Sequence, residues 1–336
     1  MSNGYSKNTD EKFSDSLVLV YGFKCPLLCD FCCHPLEEFG TAKMNPDEVI
    51  QWISSAISIP SIKLVVFTGG EPFVYYNEII SIMRATAETG LKFRIVTSAY
   101  WAFSLEKAKS KLARLKEVGL TELSISTDPS HQVFVPSSYV ENAAKAALEL
   151  GLATELAGVF WDPDIQVQDV VHVPEGVNVT RHFAIPIGRG RKKQVKPQDY
   201  RLGSERFGPC GHPKTHSITV YPDGEVYPCC SGGFNIQAKL SMGNIKKEPL
   251  HRIVERIYTN RYVRLVTEEG FNQLYDLCRF KFPELAKQLP DTSEYVSPCQ
   301  LCARIHSDSN LMKTLEPVLD YADQVTKAVR KIAIRK

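Results

Sequence analysis

Apolar and polar positions along the chain follow two alternating periods. From Leu17 a unit of about thirty residues repeats: a nearly continuous apolar run, a loop, then apolar residues at helical spacing. The apolar runs are Leu17–Tyr21, Lys63–Phe67, Phe93–Thr97, Leu123–Thr127, Thr154–Phe160 and Val177–Ile185. The intervening stretches carry helix signals. Asn45 is placed to cap a helix with Pro46 at its first position and Glu48 three residues on. Val49, Trp52, Ile53, Ala56 and Ile57 then share one face. Further helices are predicted from Asn77 (Ile79, Ile80 and Met83 inward), from Ser104, and from Ser138 with Glu141. Gly90, Gly119 and Gly151 follow their ends, as left-handed caps would require.

Strands that are apolar on both faces and alternate with helices predict an α/β fold, a parallel sheet covered by helices. Six such units suit a partial (βα)6 barrel better than a closed eight-fold one. Sites in such sheets gather at the C-terminal strand ends. Four polar or thiol-bearing segments fall there: Cys25–Cys32, Gly69-Gly70-Glu71-Pro72, Thr97-Ser98 and Ser126–Asp128.

After Ile187 the pattern breaks. Gly188 to Pro197 is basic and rich in helix breakers, and turn-rich segments with six of the ten cysteines follow. Helical stretches are expected around 248–266 and 310–334. The resulting division is an N-terminal arm (1–14), a barrel (15–190), a basic linker (191–205), a smaller second domain (206–310) and a closing helix (311–336).

Composition narrows the chemistry. A hydrophobic content of 43% supports a sizeable core, and a net charge of +2 offers no general nucleic-acid or membrane-surface attraction. No stretch is long and apolar enough to span a bilayer. Met1 to Lys7 lacks an apolar signal segment, so a cytoplasmic setting is expected. Clustered cysteines in that setting point to metal or redox chemistry rather than disulfides.

Cys25, Cys29 and Cys32 are three soft ligands on one loop. They suit a thiophilic metal or an iron–sulfur cluster, and three ligands leave one iron of a cubane open. A zinc knuckle completed by Cys33 or His34 is the alternative on the same residues. His131, His182, His212 and His216 read as surface or hydrogen-bonded side chains.

The Cys-x3-Cys-x2-Cys pattern, with aromatic Phe31 before its last cysteine, resembles the radical S-adenosylmethionine (SAM) enzymes. The resemblance implies that Cys25, Cys29 and Cys32 hold a 4Fe–4S cluster at the end of the first barrel strand, with SAM on the fourth iron. It implies reductive cleavage of SAM to a 5′-deoxyadenosyl radical that takes a hydrogen from substrate. Phe31 would lie near the adenine. Gly69-Gly70-Glu71-Pro72 is similar to the segment that receives SAM's ammonium group in that family. Thr97, Ser98, Ser126 and Asp128 fall where family members hold the carboxylate and ribose.

The later cysteines resemble a SPASM/Twitch auxiliary domain. Cys210 is followed by Thr219 to Pro228, which reads as a β-hairpin turning at Asp223-Gly224, then by Cys229 and much later by Cys299-x2-Cys302. A full SPASM domain continues with further cysteines, and none follows Cys302. The resemblance therefore implies one auxiliary 4Fe–4S cluster on Cys210, Cys229, Cys299 and Cys302. A zinc ribbon is the alternative on those four thiols. Cys230 and Cys278 remain. Radical SAM peptide epimerases quench a substrate radical with a free cysteine, and Cys230, beside a ligand and near the barrel mouth, is the first candidate, with Cys278 the second; the plainer readings are a small buried residue or alternative ligand for Cys230 and a core helix residue or spare ligand for Cys278.

The function so implied is inversion of a carbon centre in a ribosomally made peptide precursor or a small-molecule substrate such as a sugar, with a reducing protein such as flavodoxin or ferredoxin as partner. Neither a membrane nor nucleic acid is an expected partner. The first rival is a dehydrogenase or peptide crosslink-forming enzyme whose auxiliary cluster accepts an electron. The rival of another class is a non-enzymatic zinc or iron–sulfur protein that binds nucleic acid through the basic run 189–196.

Overall fold

The structure, a computed structural model, describes residues 15–34, 39–210 and 216–334. The arm at 1–14 and His212 lie outside the described residues. Six parallel strands form the first half of the sheet in chain order: β1 (Asp15–Gly22), β2 (Ile62–Gly69), β3 (Lys92–Thr97), β4 (Leu120–Ser126), β5 (Ala153–Phe160) and β6 (Asn178–Phe183). Helices α1 (Pro46–Ala56), α2 (Tyr76–Ala85), α3 (Leu105–Glu117) and α4 (Ser137–Glu149) connect the first five. This is the α/β architecture of a partial (βα)6 barrel.

Local signals explain the helix boundaries. The Asn45 side chain accepts the Asp47 and Glu48 N–H groups, and Ser104 accepts that of Lys107. Gly90, Gly119 and Gly151 lie past helix ends at φ of 70°, 106° and 70°. Two starts differ from expectation. A 3-10 turn, Pro72–Tyr75, runs straight into α2, so that helix opens before Asn77. In α4 the extended Pro136 sets the entry and no side-chain cap is made.

The sheet does not stop at the linker. β7 (Ser217–Val220) pairs parallel with β1, Leu17 opposite Ile218 and Leu19 opposite Val220. β8 (Glu225–Tyr227) and β9 (Gly243–Asn244) extend it antiparallel, giving the order β6-β5-β4-β3-β2-β1-β7-β8-β9. β1 is thus interior, and Leu17, Leu19 and Tyr21 are fully buried. A buried carboxylate ties this junction. Asp15 accepts the backbone N–H of His216 at 2.7 Å, the Ser61 hydroxyl at 2.6 Å and the Tyr258 phenol at 2.7 and 2.8 Å.

Four longer helices complete the chain: α5 (Leu250–Thr259), α6 (Gly270–Lys281), α7 (Pro298–His306) and α8 (Ser309–Ile334). The pattern anticipated α5 and α8, and a helix at Cys278 that is α6, but not α7. A π-helical turn, Leu265–Glu269, precedes α6, and α7 is short, opened by Ser297 and Pro298. No helix among the described residues is long and apolar enough to cross a membrane.

Candidate active site and auxiliary cysteine site

At the C-terminal ends of β1 to β5 lies a cavity of about 200 Å³. Cys25, Cys29 and Cys32 line it, together with Phe31, Gly69, Gly70, Thr97, Ser98 and Ser126. Nine sequence-expected residues from four strand ends therefore meet around one space. Glu71 and Asp128 do not line it; they stand behind it as supports.

The two glycines serve packing as well as access. Gly70 N–H donates to Gly22 C=O at 2.7 Å, and Glu71 N–H to Lys24 C=O at 3.0 Å. A Cβ on Gly69, whose φ is +130°, would lie 2.4 Å from the Gly22 oxygen. The end of β2 thus closes against the loop that carries the first thiol. The Glu71 carboxylate, 1% exposed, accepts the Phe73 N–H at 3.0 Å, the Thr97 hydroxyl at 2.8 Å, and the Ser98 N–H and hydroxyl at 2.8 and 2.6 Å. Burial pushes its pKa up, against the pull of these bonds. Its lone pairs are engaged by the protein, so it locks the ends of β2 and β3 and presents the backbone edge to the cavity.

Asp128 plays a similar role at the end of β4. It is fully buried, caps a helical turn by accepting His131 N–H at 2.9 Å, and accepts Val159 N–H at 3.2 Å. Its second oxygen lies 2.7 Å from Nδ1 of His131. His131 is the group that reaches the cavity wall, with its ring 5.4 Å from that of Phe31. Burial alone would lower its pKa, but Asp128 and the Cys29 thiol hold it up at about 10. Sequence reading takes His131 as a surface or hydrogen-bonded side chain; the structure shows the hydrogen bond and adds its place at the cavity. The signal is Asp128 three residues before it at a strand end.

The thiol loop fits a cluster. Burial pushes Cys25 up to about 12 and raises Cys32 as well, so as free thiols they stay protonated. A cationic iron centre is what would hold them as thiolates in this setting. Beside them the buried Nδ1 of His34 has no hydrogen-bond partner among the described residues, and burial lowers that ring to about 4.

A second, smaller cavity of about 50 Å³ is lined by Cys210, Cys229, Cys299 and Cys302, with apolar walls from Leu240, Val263, Val266 and Phe271. Helix α7 sets Cys299 and Cys302 one turn from each other on a shared face. Burial raises all four thiols, Cys210 and Cys229 to about 12 and Cys299 to about 11. Four thiols gathered around one small space suit a fully coordinated cluster by the same argument.

The two sites meet at Cys33. Its C=O accepts Gly233 N–H at 2.9 Å, and its thiol packs on Gly232, where a Cβ would lie 2.7 Å from Sγ. Arg189, from the basic run, donates its backbone N–H to Cys32 C=O at 3.1 Å and its guanidinium to Cys29 C=O at 3.2 Å. The start of the basic run thereby belongs to the site. Cys230, two residues before Gly232, is exposed. Cys278 is not brought to either cavity. It faces the core from α6, fully buried, and burial pushes it up to about 11. This is the core helix position that the sequence reading favours for Cys278 over a donor role.

Two family models match the chain, the radical SAM superfamily at residues 19–134 and SPASM, an iron–sulfur cluster-binding domain, at 210–280. The chain belongs to the radical SAM superfamily. This radical SAM enzyme is 21% identical over 311 residues to YydG of Bacillus subtilis (strain 168), named as a putative peptide biosynthesis protein, with 88% of this chain and 93% of that one covered. It is 32% identical over 112 residues to the PqqA peptide cyclase of Rhodopseudomonas palustris (strain ATCC BAA-98 / CGA009), a match covering 33% of this chain and 28% of the cyclase. Among solved structures it resembles anSMEcpe, crystallised with AdoMet and a Cp18Cys peptide, with a TM-score of 0.56, 15% identity, and 91% and 99% of the two chains covered. That likeness is one of fold.

A radical SAM enzyme with a SPASM domain binds a 4Fe–4S cluster and SAM through its barrel and auxiliary iron–sulfur through the second domain. The enzyme assignment sets aside the non-enzymatic zinc reading.

Proposed function

We propose that this radical SAM enzyme inverts a carbon centre in a ribosomally made peptide, with Cys230 as the hydrogen donor. The observation that carries the reading is an exposed thiol, Cys230, between half-buried Cys229 of the second site and Gly232, which packs on Cys33 of the barrel cavity. A peptide substrate is supported by the near full-length likeness to a protein named for peptide biosynthesis and by the partial likeness to a peptide cyclase. On this reading Cys25, Cys29 and Cys32 hold the SAM-binding cluster, and Cys210, Cys229, Cys299 and Cys302 the auxiliary one. We place the enzyme in the cytoplasm, where thiols and clusters stay reduced.

The cluster and SAM, when bound, would supply hydrogen-atom abstraction from the substrate. The protein's own groups do the rest. The Gly69–Gly70 edge, Thr97, Ser98 and Ser126 offer polar contacts to SAM, and Phe31 and His131 form an aromatic wall for its base. The Cys230 S–H bond breaks as a new C–H bond forms on the opposite face of the substrate carbon. The sulfur is left short of one electron and one proton; a one-electron protein reductant of the flavodoxin or ferredoxin class and solvent restore them.

The test is turnover in deuterated water with a candidate precursor peptide. Inversion adds one deuterium at the altered carbon, because a thiol exchanges with solvent. Cys230→Ala is expected to release 5′-deoxyadenosine yet give no epimer. A product two mass units lighter and free of deuterium would instead establish the oxidative or crosslinking reading.

A further inference from the structure

The auxiliary site contains a buried phenol that the reaction just proposed does not use. Tyr262 is 2% exposed, sits on the helical turn Arg261–Arg264 that Asn260 caps, and packs its ring 5.1 Å from that of His306. Its hydroxyl donates to Cys302 Sγ at 3.5 Å. A phenol O–H is a hydrogen-bond donor at neutral pH. A second hydroxyl stands nearby. Ser297 caps α7 by accepting Cys299 N–H at 3.1 Å.

We infer that Tyr262 is a positioning and tuning residue for the auxiliary cluster, whose O–H on the Cys302 sulfur raises the cluster's reduction potential. The inference rests on Cys302 being a ligand, as proposed above. One electron added to a thiolate-bound cluster makes its sulfurs more negative, and a hydrogen bond to sulfur stabilises that form over the oxidised one. Between the apolar walls of this cavity little water competes with the O–H dipole, so its effect is large for a neutral donor. The redox step takes one electron from an external one-electron reductant; no bond breaks and the phenol keeps its proton. The consequence is a second domain biased toward holding an electron, available within the protein while the Cys230 sulfur is being restored.

The experiment compares the full-length, anaerobically reconstituted enzyme with Tyr262→Phe, reading the reduced auxiliary cluster by electron paramagnetic resonance at a series of fixed potentials. Tyr262→Phe keeps the shape and removes only the O–H. Its ratio of reduced to oxidised auxiliary cluster is expected to fall roughly tenfold at a given potential, with the barrel cluster unmoved. Tyr275→Phe is the control. It loses a comparable bond, to Pro290 C=O at 2.7 Å, with no sulfur contact, and its ratio is expected to stay unchanged. An unchanged ratio in Tyr262→Phe at full iron content, or an equal fall in the control, overturns the inference. Should Tyr262→Phe lose iron, wild-type enzyme carrying ring-deuterated tyrosine decides. Deuteron coupling to the reduced auxiliary cluster supports the contact, and its absence overturns it. Full auxiliary iron in Cys302→Ala would instead remove the ligand assignment on which the inference rests.

Discussion

The Asp128 carboxylate lies 2.7 Å from Nδ1 of His131, and every hydrogen bond that the described structure gives this buried carboxylate comes from the protein's own groups. A residue that the family resemblance directs to the cofactor is here the support for a neighbour that meets the cavity. The pair links the end of β4, the turn after it and β5, so its loss is expected to cost more than a surface ion pair does.

Asp128→Ala removes a buried partner, a helix cap and the acceptor for Val159 N–H. We expect a loss of about 3–5 kcal/mol. Asp128→Asn, which keeps one acceptor oxygen, should lose less. Urea unfolding of the cluster-free protein measures both, and coincident midpoints for Asp128→Ala and wild type would show that the pair carries no stability.

Gly232→Ala places a Cβ 2.7 Å from Cys33 Sγ at a φ of +60°. The loop must move, at a cost of about 1–3 kcal/mol. Because Cys229 and Cys230 lead into this loop, auxiliary iron and epimer formation should both fall while 5′-deoxyadenosine release persists. Iron analysis beside a product assay checks this.

Two cubanes correspond to about eight irons per chain, and Cys29→Ala and Cys302→Ala should each retain about half of that. Release of 5′-deoxyadenosine should vanish in Cys29→Ala and survive in Cys302→Ala. Zinc without iron in the reconstituted protein would refute both ligand assignments.

Glu71 gives a signed pH dependence. Burial raises its folded pKa above the unfolded value, so the folded state binds this proton more tightly. Its contribution to stability is complete below the unfolded pKa, near 4.5, and is lost as pH rises through the folded one. Over that window the wild type should lose stability relative to Glu71→Gln. Parallel stability–pH curves for the two proteins would contradict the shift.

Tyr258→Phe deletes the phenol bond to Asp15 at the β1–β7 junction. A hydrogen bond to a buried carboxylate is worth about 1.5–3 kcal/mol, and thermal unfolding should show a loss of that order.

Much of this was legible in the chain. Strand runs such as Leu17–Tyr21 and caps such as Asn45 and Ser104 depend on neighbours within a few residues. The thiol loop and Gly69–Pro72 stand at strand ends that the repeating βα pattern already locates. Less visible were contacts between segments far from each other in the chain. His131 matters through Asp128, Phe31 and Cys29, and Arg189 through the carbonyls of Cys29 and Cys32, more than 150 residues away. α7 looked like a Cys-x2-Cys loop because its helix is short and takes its face from packing.

The sequence by itself determined the α/β repeat, the two cysteine arrays and the family, since each is written in local spacing and residue type. Tertiary structure alone decided that β7 continues the barrel sheet beside β1, that Glu71 and Asp128 support the cavity rather than line it, and that Cys33 joins the two sites. Those outcomes depend on which surfaces pack together. Burial and the demand that every buried polar group find a partner settle them across the whole chain, where no local pattern records the answer.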